Sequence, residues 1–153
     1  DSGFLIEYLT PEEFFELIST VYNISKENTE SKLKSFEGFM NNEILGQKKY
    51  IHSLSAGNKQ KVGIIGALLM NPELLILDEP FNFLDPSSQI VIKRLLKLLN
   101  AEYGATILIS SHNLEHIADV STRIILLEKG IIIKDIPNND LGAQTEVIKY
   151  FFR

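Results

Sequence analysis

Two short apolar runs, Leu74-Leu75-Ile76-Leu77 and Thr106-Ile107-Leu108-Ile109-Ser110, stand on either side of a capped helical segment, and they constrain this chain more than any other feature. A strand, a crossover helix and a second strand of this length pair in parallel with a right-handed connection, so both strands end on one edge of the sheet. The first run ends in Asp78-Glu79-Pro80 and the second leads through Ser110-Ser111 to His112, which brings two carboxylates and an imidazole to that shared edge. The strands are apolar through their middles, as expected where helices cover both faces. In open α/β sheets such edges are where phosphate and metal chemistry is placed.

The flanking sequence continues the pattern. Thr10-Pro11-Glu12-Glu13 has the form of a helix start, with Thr10 as N-cap, Pro11 at the first helical position and Glu13 completing a capping box. Phe14, Phe15, Leu17, Ile18 and Val21 give this helix an apolar face to about Tyr22. A second helix is expected from Glu30 to Leu45, stopped by Gly46, with Leu33, Phe36, Phe39, Met40 and Ile44 inside and Lys32, Lys34 and Glu37 solvated. A third runs from about Ala56 to Met70 and is closed by Asn71-Pro72. Asp85-Pro86-Ser87-Ser88 starts the crossover helix, whose buried face is read as Ile90, Val91, Leu95, Leu98 and Leu99 and whose stop is Gly104. Ile124–Leu127 and Ile131–Ile133, joined through Glu128-Lys129-Gly130, read as a hairpin, and Leu141 to Phe152 as a last helix. The chain is thus an α/β protein with a helical region over residues 1–52, an alternating parallel core over 53–136 and a C-terminal helix over 137–153.

Composition removes several classes of function. The 153 residues carry 15 Lys and Arg against 20 Asp and Glu, a formal charge of -5, which offers no basic footprint and sets the expectation of no nucleic-acid partner. The absence of Cys excludes disulfides and thiolate metal sites and suits a reducing compartment. The apolar runs are of about five residues, far short of the roughly 20 that span a bilayer, and Asp1-Ser2-Gly3-Phe4 shows no signal peptide.

Three short stretches carry chemistry. Adjacent carboxylates at a strand end divide labour: Asp78 suits Mg²⁺ held through its water shell, and Glu79 suits a base that orients or deprotonates a water. His112 offers an imidazole that donates to a phosphate oxygen or accepts from water, or else merely opens a helix capped by Ser111. Ser55-Ala56-Gly57 at the start of an apolar helix presents free backbone N–H groups and a positive dipole end, which favour an anion, or serves as ordinary capping. The phosphate-cradling G-x-x-x-x-G-K-[ST] loop is missing from these residues, since no Gly is followed by Lys.

In combination these stretches resemble the ATP-binding-cassette (ABC) ATPases, the nucleotide-binding domains of ABC transporters, and the chain is similar to their C-terminal two-thirds. Leu54-Ser55-Ala56-Gly57-Asn58-Lys59-Gln60 resembles the family signature, with Ala56 for its first Gly and Asn58 for its Gln. Leu74 to Asp78 resembles the Walker B strand, which implies Mg²⁺ coordination through water for Asp78 and a catalytic base in Glu79. Asn82-Phe83-Leu84-Asp85 resembles the D-loop, and His112 the switch histidine. The resemblance implies ATP-contacting roles for Ser55, Ala56, Gly57, Asn58 and Asp85, and it places Asp1 at the Q-loop glutamine, where a carboxylate binds metal but does not donate as an amide does. Thr122 before Arg123 departs from the Asp-Arg pair usual there.

What the resemblance implies is a P-loop NTPase fold with its N-terminal part cut away and a helical subdomain retained. It further implies ATP and Mg²⁺ as cofactors, a transmembrane transporter subunit and a second, head-to-tail nucleotide-binding domain as partners, and a cytoplasmic place at the inner face of the membrane. Without the Walker A loop the chain alone is expected to be inactive, and without a neighbour for Leu74–Leu77 its open strand edge is expected to favour self-association. Two alternatives are a head fragment of an SMC-type DNA-repair or chromosome ATPase, which lacks support in the short helices of residues 11–50, and an inactive ABC-like binding module.

Overall fold

The computed structural model describes residues 5–138. Asp1 and the helix expected over Leu141–Phe152 lie outside the described residues.

Helix α1 (Pro11–Val21) starts on the capping box read from sequence: the Thr10 N–H donates to Glu13 Oε2 at 2.8 Å and the Glu13 N–H to Thr10 Oγ1 at 3.3 Å. It buries Phe14, Phe15 and Ile18, but Leu17 and Val21, expected inside, are exposed. The buried stripe faces α4 (Ala56–Leu69), against which α1 packs most. There the two helices approach closely: a Cβ on Gly66 would stand 2.9 Å from both Ile18 Cδ1 and Phe14 Cε1. Gly66 thus has a packing reason to be the smallest residue.

The single helix expected over Glu30–Leu45 is two helices, α2 (Lys26–Ser35) and α3 (Glu37–Met40). The break falls at Phe36, which leaves α2 with φ -95° and ψ 3°, and α3 then stops at Asn41, whose left-handed φ of 52° asparagine tolerates better than most residues. Apolar spacing nevertheless located the core, because Phe36, Phe39, Met40 and Ile44 are all buried. Lys32 is half-buried rather than solvated, and its ammonium donates to the Leu69 carbonyl at 2.5 Å across to the end of α4. That burial holds its pKa below the ordinary lysine value. A buried hydroxyl pair, Thr29 Oγ1 donating to Ser19 Oγ at 2.8 Å, ties α2 to α1.

Strands β1 (Leu74–Asp78) and β2 (Thr106–Ser110) pair in parallel in one unbroken register from Leu74 opposite Thr106 to Asp78 opposite Ser110. Helix α5 (Pro86–Tyr103) makes the crossover, capped by Asp85 and ended by Gly104 at φ 68°. Its buried stripe is Ile92, Leu96 and Leu99; Ile90 and Leu98, expected inside, are exposed, because the helix turns the alternative i, i+4, i+7 row to the sheet. Among the described residues, the strands are covered on one face only. Leu75 and Leu77 are buried with that row, whereas Leu74, Ile76 and Leu108 stay exposed, contrary to the expectation of helices on both sides. Among the described residues β1 has β2 as its sole strand neighbour.

Beyond β2, α6 (Leu114–Val120) leads into an antiparallel hairpin of β3 (Arg123–Glu128) and β4 (Ile131–Pro137). Lys129 and Gly130 both have positive φ, as a two-residue primed turn requires. The hairpin is longer than expected and is clasped across its open end by Arg123 Nε on Asp135 Oδ1 at 2.7 Å.

The core assignment has a direct test. Phe15→Ala, which empties a fully buried ring, is expected to destabilise the chain by about 3–5 kcal/mol, whereas Val21→Ala on the exposed stripe is expected to change stability by about 0.5 kcal/mol or less. Chemical denaturation of both variants measures the contrast.

Candidate functional site

The parallel register decides what meets at the strand ends. After Asp78 the chain makes one more ladder bond, the Glu79 N–H donating to the Ser110 carbonyl at 3.0 Å, before it turns away at Pro80. Glu79 makes this turn with φ 45°, a left-handed conformation that a non-glycine residue adopts only when its surroundings hold it. The two adjacent acids therefore point to different donors. Asp78 Oδ1 accepts from the Ser110 hydroxyl. Glu79 receives the whole exit of the second strand: the Ser111 hydroxyl at 3.0 Å, the His112 N–H at 2.8 Å and His112 Nδ1 at 2.7 Å.

The structure thus joins Glu79 and His112, which sequence reading had only placed on one edge. With Nδ1 protonated, the imidazole donates to the carboxylate and leaves Nε2 as an acceptor. Partial burial raises the Glu79 carboxyl, and the hydrogen bonds from the His112 ring, its N–H and the Ser111 hydroxyl outweigh that, so its pKa lies below the ordinary glutamate value. In this arrangement Glu79 is ionised and a weak base. The alternative of a helix opened by His112 and capped by Ser111 does not hold: Asn113 caps α6, its Oδ1 accepting from the N–H groups of Glu115 and His116, while Ser111 Oγ accepts from the Asn113 N–H.

From Glu79 the chain runs through a tight loop to Asp85. Phe83 sits there exposed and at φ 63°, between buried Phe81 and Leu84. Asp85, assigned by resemblance to nucleotide contact, commits its carboxylate to structure: Oδ1 accepts from the Ser87 hydroxyl and the Ser88 N–H, and Oδ2 from the Ser88 hydroxyl at 2.5 Å. Those bonds hold its pKa well below the usual carboxylate range.

The Ser55-Ala56-Gly57-Asn58 stretch forms the first turn of α4. Ser55 is the N-cap, its hydroxyl accepting from the Asn58 N–H at 3.2 Å, so the capping and the anion-binding readings describe the same geometry. Gly57 lies against the loop, where a Cβ would stand 2.5 Å from the Phe83 carbonyl oxygen, and no other residue fits that approach without a shift. A groove of about 730 Å³ opens between α4 and the strand end, lined by Ala56, Lys59 and Gln60 on one side and Asp78, Glu79 and Asn82 on the other. The structure therefore brings the start of α4 and the acidic edge to one groove.

Sequence reading missed three contributors. Ser110 and Ser111 orient the two acids, a role foreshadowed only by their place at the matching strand end. Lys61 is fully buried on α4, and no local pattern marks it, because its partners come from residues 43 and 85.

The donor set suits Mg²⁺ of the kind that keeps its waters. Among the described residues no three acidic or imidazole side chains converge as a cage, and a single exposed carboxylate, Asp78, stands beside a hydroxyl at the strand end. An ion held mainly by water and substrate phosphates needs no more protein than that.

Comparison with known proteins follows the same lines. A family described as "AAA domain, putative AbiEii toxin, Type IV TA system" matches residues 16–118. A protein of Bacillus subtilis (strain 168) named as the uncharacterized ABC transporter ATP-binding protein YcbN is 42% identical over 103 residues, 67% of this chain and 34% of that protein. Among solved structures, an ATP-binding subunit of an ABC transporter superposes with a TM-score of 0.80 at 30% identity over 94% of this chain and 59% of that one. The dimeric structure of MJ0796, a bacterial ABC transporter cassette, gives 0.73 at 25% identity over 90% and 60%. The chain thus spans about a third of this curated relative and about three-fifths of these structures.

The hydrogen bonds to Glu79 have a measurable pH signature. A carboxyl whose folded pKa is depressed contributes stability that is present above its unfolded value of about 4.3 and is lost as pH falls through the folded value. Carboxyl NMR titration is expected to place Glu79 below that value, and His112→Ala to move it upward.

Proposed function

We propose that this chain, which belongs to the AAA-domain family and has the fold of an ABC ATPase, is the C-terminal part of an ATP-binding subunit that couples ATP hydrolysis to transport through a separate membrane subunit. The observation that carries the reading is the pairing of Glu79 with His112 at the ends of two parallel strands, with Asp78 beside them.

The residues divide the work as follows. Asp78 holds Mg²⁺ through water, and the ion when bound supplies charge neutralisation at the nucleotide phosphates. Glu79 positions the attacking water and accepts its proton. To do so it gives up the His112 donor, because a carboxylate satisfied on all sides is a weak base; a γ-phosphate that draws the imidazole to itself raises Glu79 basicity at the moment it is needed. His112 thus serves either Glu79 or the phosphate. The start of α4, with Ser55, Ala56, Gly57 and Asn58, faces anionic phosphate, and Asp85 shapes the loop beside it.

The phosphate-cradling loop is absent from these 153 residues. We propose that a strand carrying it pairs with the open edge of β1, that the helix following that strand covers Leu74, Ile76 and Leu108, and that the chain alone does not hold ATP. In the assembled protein two such subunits face each other head to tail, so that Ser55 and Gly57 complete the partner's site. Asp1 contributes a further metal contact, and the subunit sits at the cytoplasmic face of the membrane. Among the described residues no helix is long and apolar enough to cross a bilayer.

The test is ATP hydrolysis by the protein that includes the P-loop-bearing segment. Glu79→Gln is expected to lower kcat by about 100-fold or more while nucleotide binding is retained. Equal turnover by the variant and the parent would overturn the assignment.

A further inference from the structure

We propose that Lys61 is a positioning residue, a buried charge that holds the Glu79–Asp85 loop in register with the helical region through Asp85 and Glu43. The inference deepens the ATPase reading of the same site and rests on it.

Lys61 lies on α4 four residues after Gly57, so both occupy one face of the helix. It is 2% exposed. Its Nζ stands 3.7 Å from Asp85 Oδ2 and 3.9 Å from Glu43 Oε2, and 5.9 Å from the centre of the Phe39 ring. An ammonium withdrawn from water needs such partners, because unpaired it would be strongly destabilising. Both carboxylates lie beyond ordinary hydrogen-bond reach, so the lysine acts on them as a point charge rather than through fixed directional bonds.

The partners belong to different parts of the molecule. Glu43 and Phe39 come from the helical region, at and just beyond α3, and Glu43 is half-exposed. Asp85 ends the loop that begins at Glu79, and its carboxylate is already tied to the first turn of α5 by the Ser88 N–H at 3.0 Å. Lys61 therefore stands between the helical region on one side and the loop with α5 on the other. That loop contains two non-glycine residues at positive φ, Glu79 and Phe83, a shape that persists only where the surroundings impose it. The Gln89 amide holds the loop from α5, donating to the Phe81 and Leu84 carbonyls at 3.2 Å, and two contacts bear on it from one face of α4: Gly57 beneath the Phe83 carbonyl and Lys61 on Asp85. A shift of residues 39–43 moves the counter-charge of Lys61, and through Asp85 it reaches the segment that aims Glu79.

A lysine that merely filled space would be replaced by Met without consequence for the loop. The chain has no Cys, so a nitroxide on Phe83→Cys reports loop mobility, and one on Tyr103→Cys at the far end of α5 serves as reference. In the full-length protein Lys61→Met is expected to raise mobility at position 83 and not at 103, and Lys61→Arg to restore it. In the same background Lys61→Met is expected to lower kcat about tenfold to a hundredfold with KM for ATP changed by less than about twofold, again with recovery in Lys61→Arg. A folded Lys61→Met with unaltered mobility at position 83 would refute the positioning role. If Lys61→Met does not fold, Glu43→Gln decides instead, because the half-exposed carboxylate is removed without emptying the core: raised mobility at 83 supports the proposal and unchanged mobility overturns it. A parent protein without ATP hydrolysis would sink the ATPase reading, and the spin-label comparison would still decide the role of Lys61.

Discussion

The parallel pairing of β1 with β2 is the constraint on which the rest depends. Five residue pairs in unbroken register set Asp78 against Ser110. Glu79 then has one backbone partner available, the Ser110 carbonyl, and the side chains on either side of that bond have no choice of neighbours. A slip by one residue would exchange the faces of β1, turning Leu75 and Leu77 outward and separating each acid from its serine. The apolar core that fixes the register, Leu75 and Leu77 against the inward row of α5, is therefore also what fixes the chemistry. Stability and site are one arrangement.

Within that frame, the site is assembled from groups in tension. Glu79 adopts a backbone conformation unfavourable for its type, and its carboxylate is gathered by three donors that favour the ionised form. The donors offset the strain, so the loop and the His112 exit strengthen one another. The same donors reduce the basicity that hydrolysis requires. Under the proposed function, such a site rests until a competing anion draws off His112, so that turnover waits on a bound γ-phosphate.

Much of this was legible in the sequence, and the exceptions have physical causes. Thr10, Asp85 and Gly104 announced helix ends correctly because caps and left-handed stops are local chemistry, decided within four residues. The strand ends were legible because handedness and parallel pairing are general, so Asp78, Glu79 and His112 were placed on one edge without coordinates. What was not legible depended on which neighbour an element chose. Ile90 and Leu98 lie on a plausible apolar face of α5, and only the sheet decides that Ile92, Leu96 and Leu99 go inside. The break at Phe36 and the stop at Asn41 were hidden because hydrophobic spacing ran on across them. Lys61 and the two serines depend on contacts across 18 to 32 residues, which no local window contains.

The face of β1 that stays exposed carries the argument one step further. A strand built to meet water on one side alternates apolar with polar residues, and β1 does not: Leu74 and Ile76 are as apolar as Leu75 and Leu77. Leu108 continues the same outward surface on β2, so the exposed side is a contiguous apolar patch rather than scattered single residues. Alternation absent from both strands is the pattern of a sheet covered on two faces, and the described residues cover one. That mismatch supports the proposed placement of a P-loop-bearing strand and its helix over Leu74, Ile76 and Leu108. It does so from burial alone, without reference to the chemistry of Glu79. The same segment would line the groove beside Asp78 and Glu79, so the surface that burial requires to be covered and the phosphates that the acids require to be held call for one occupant.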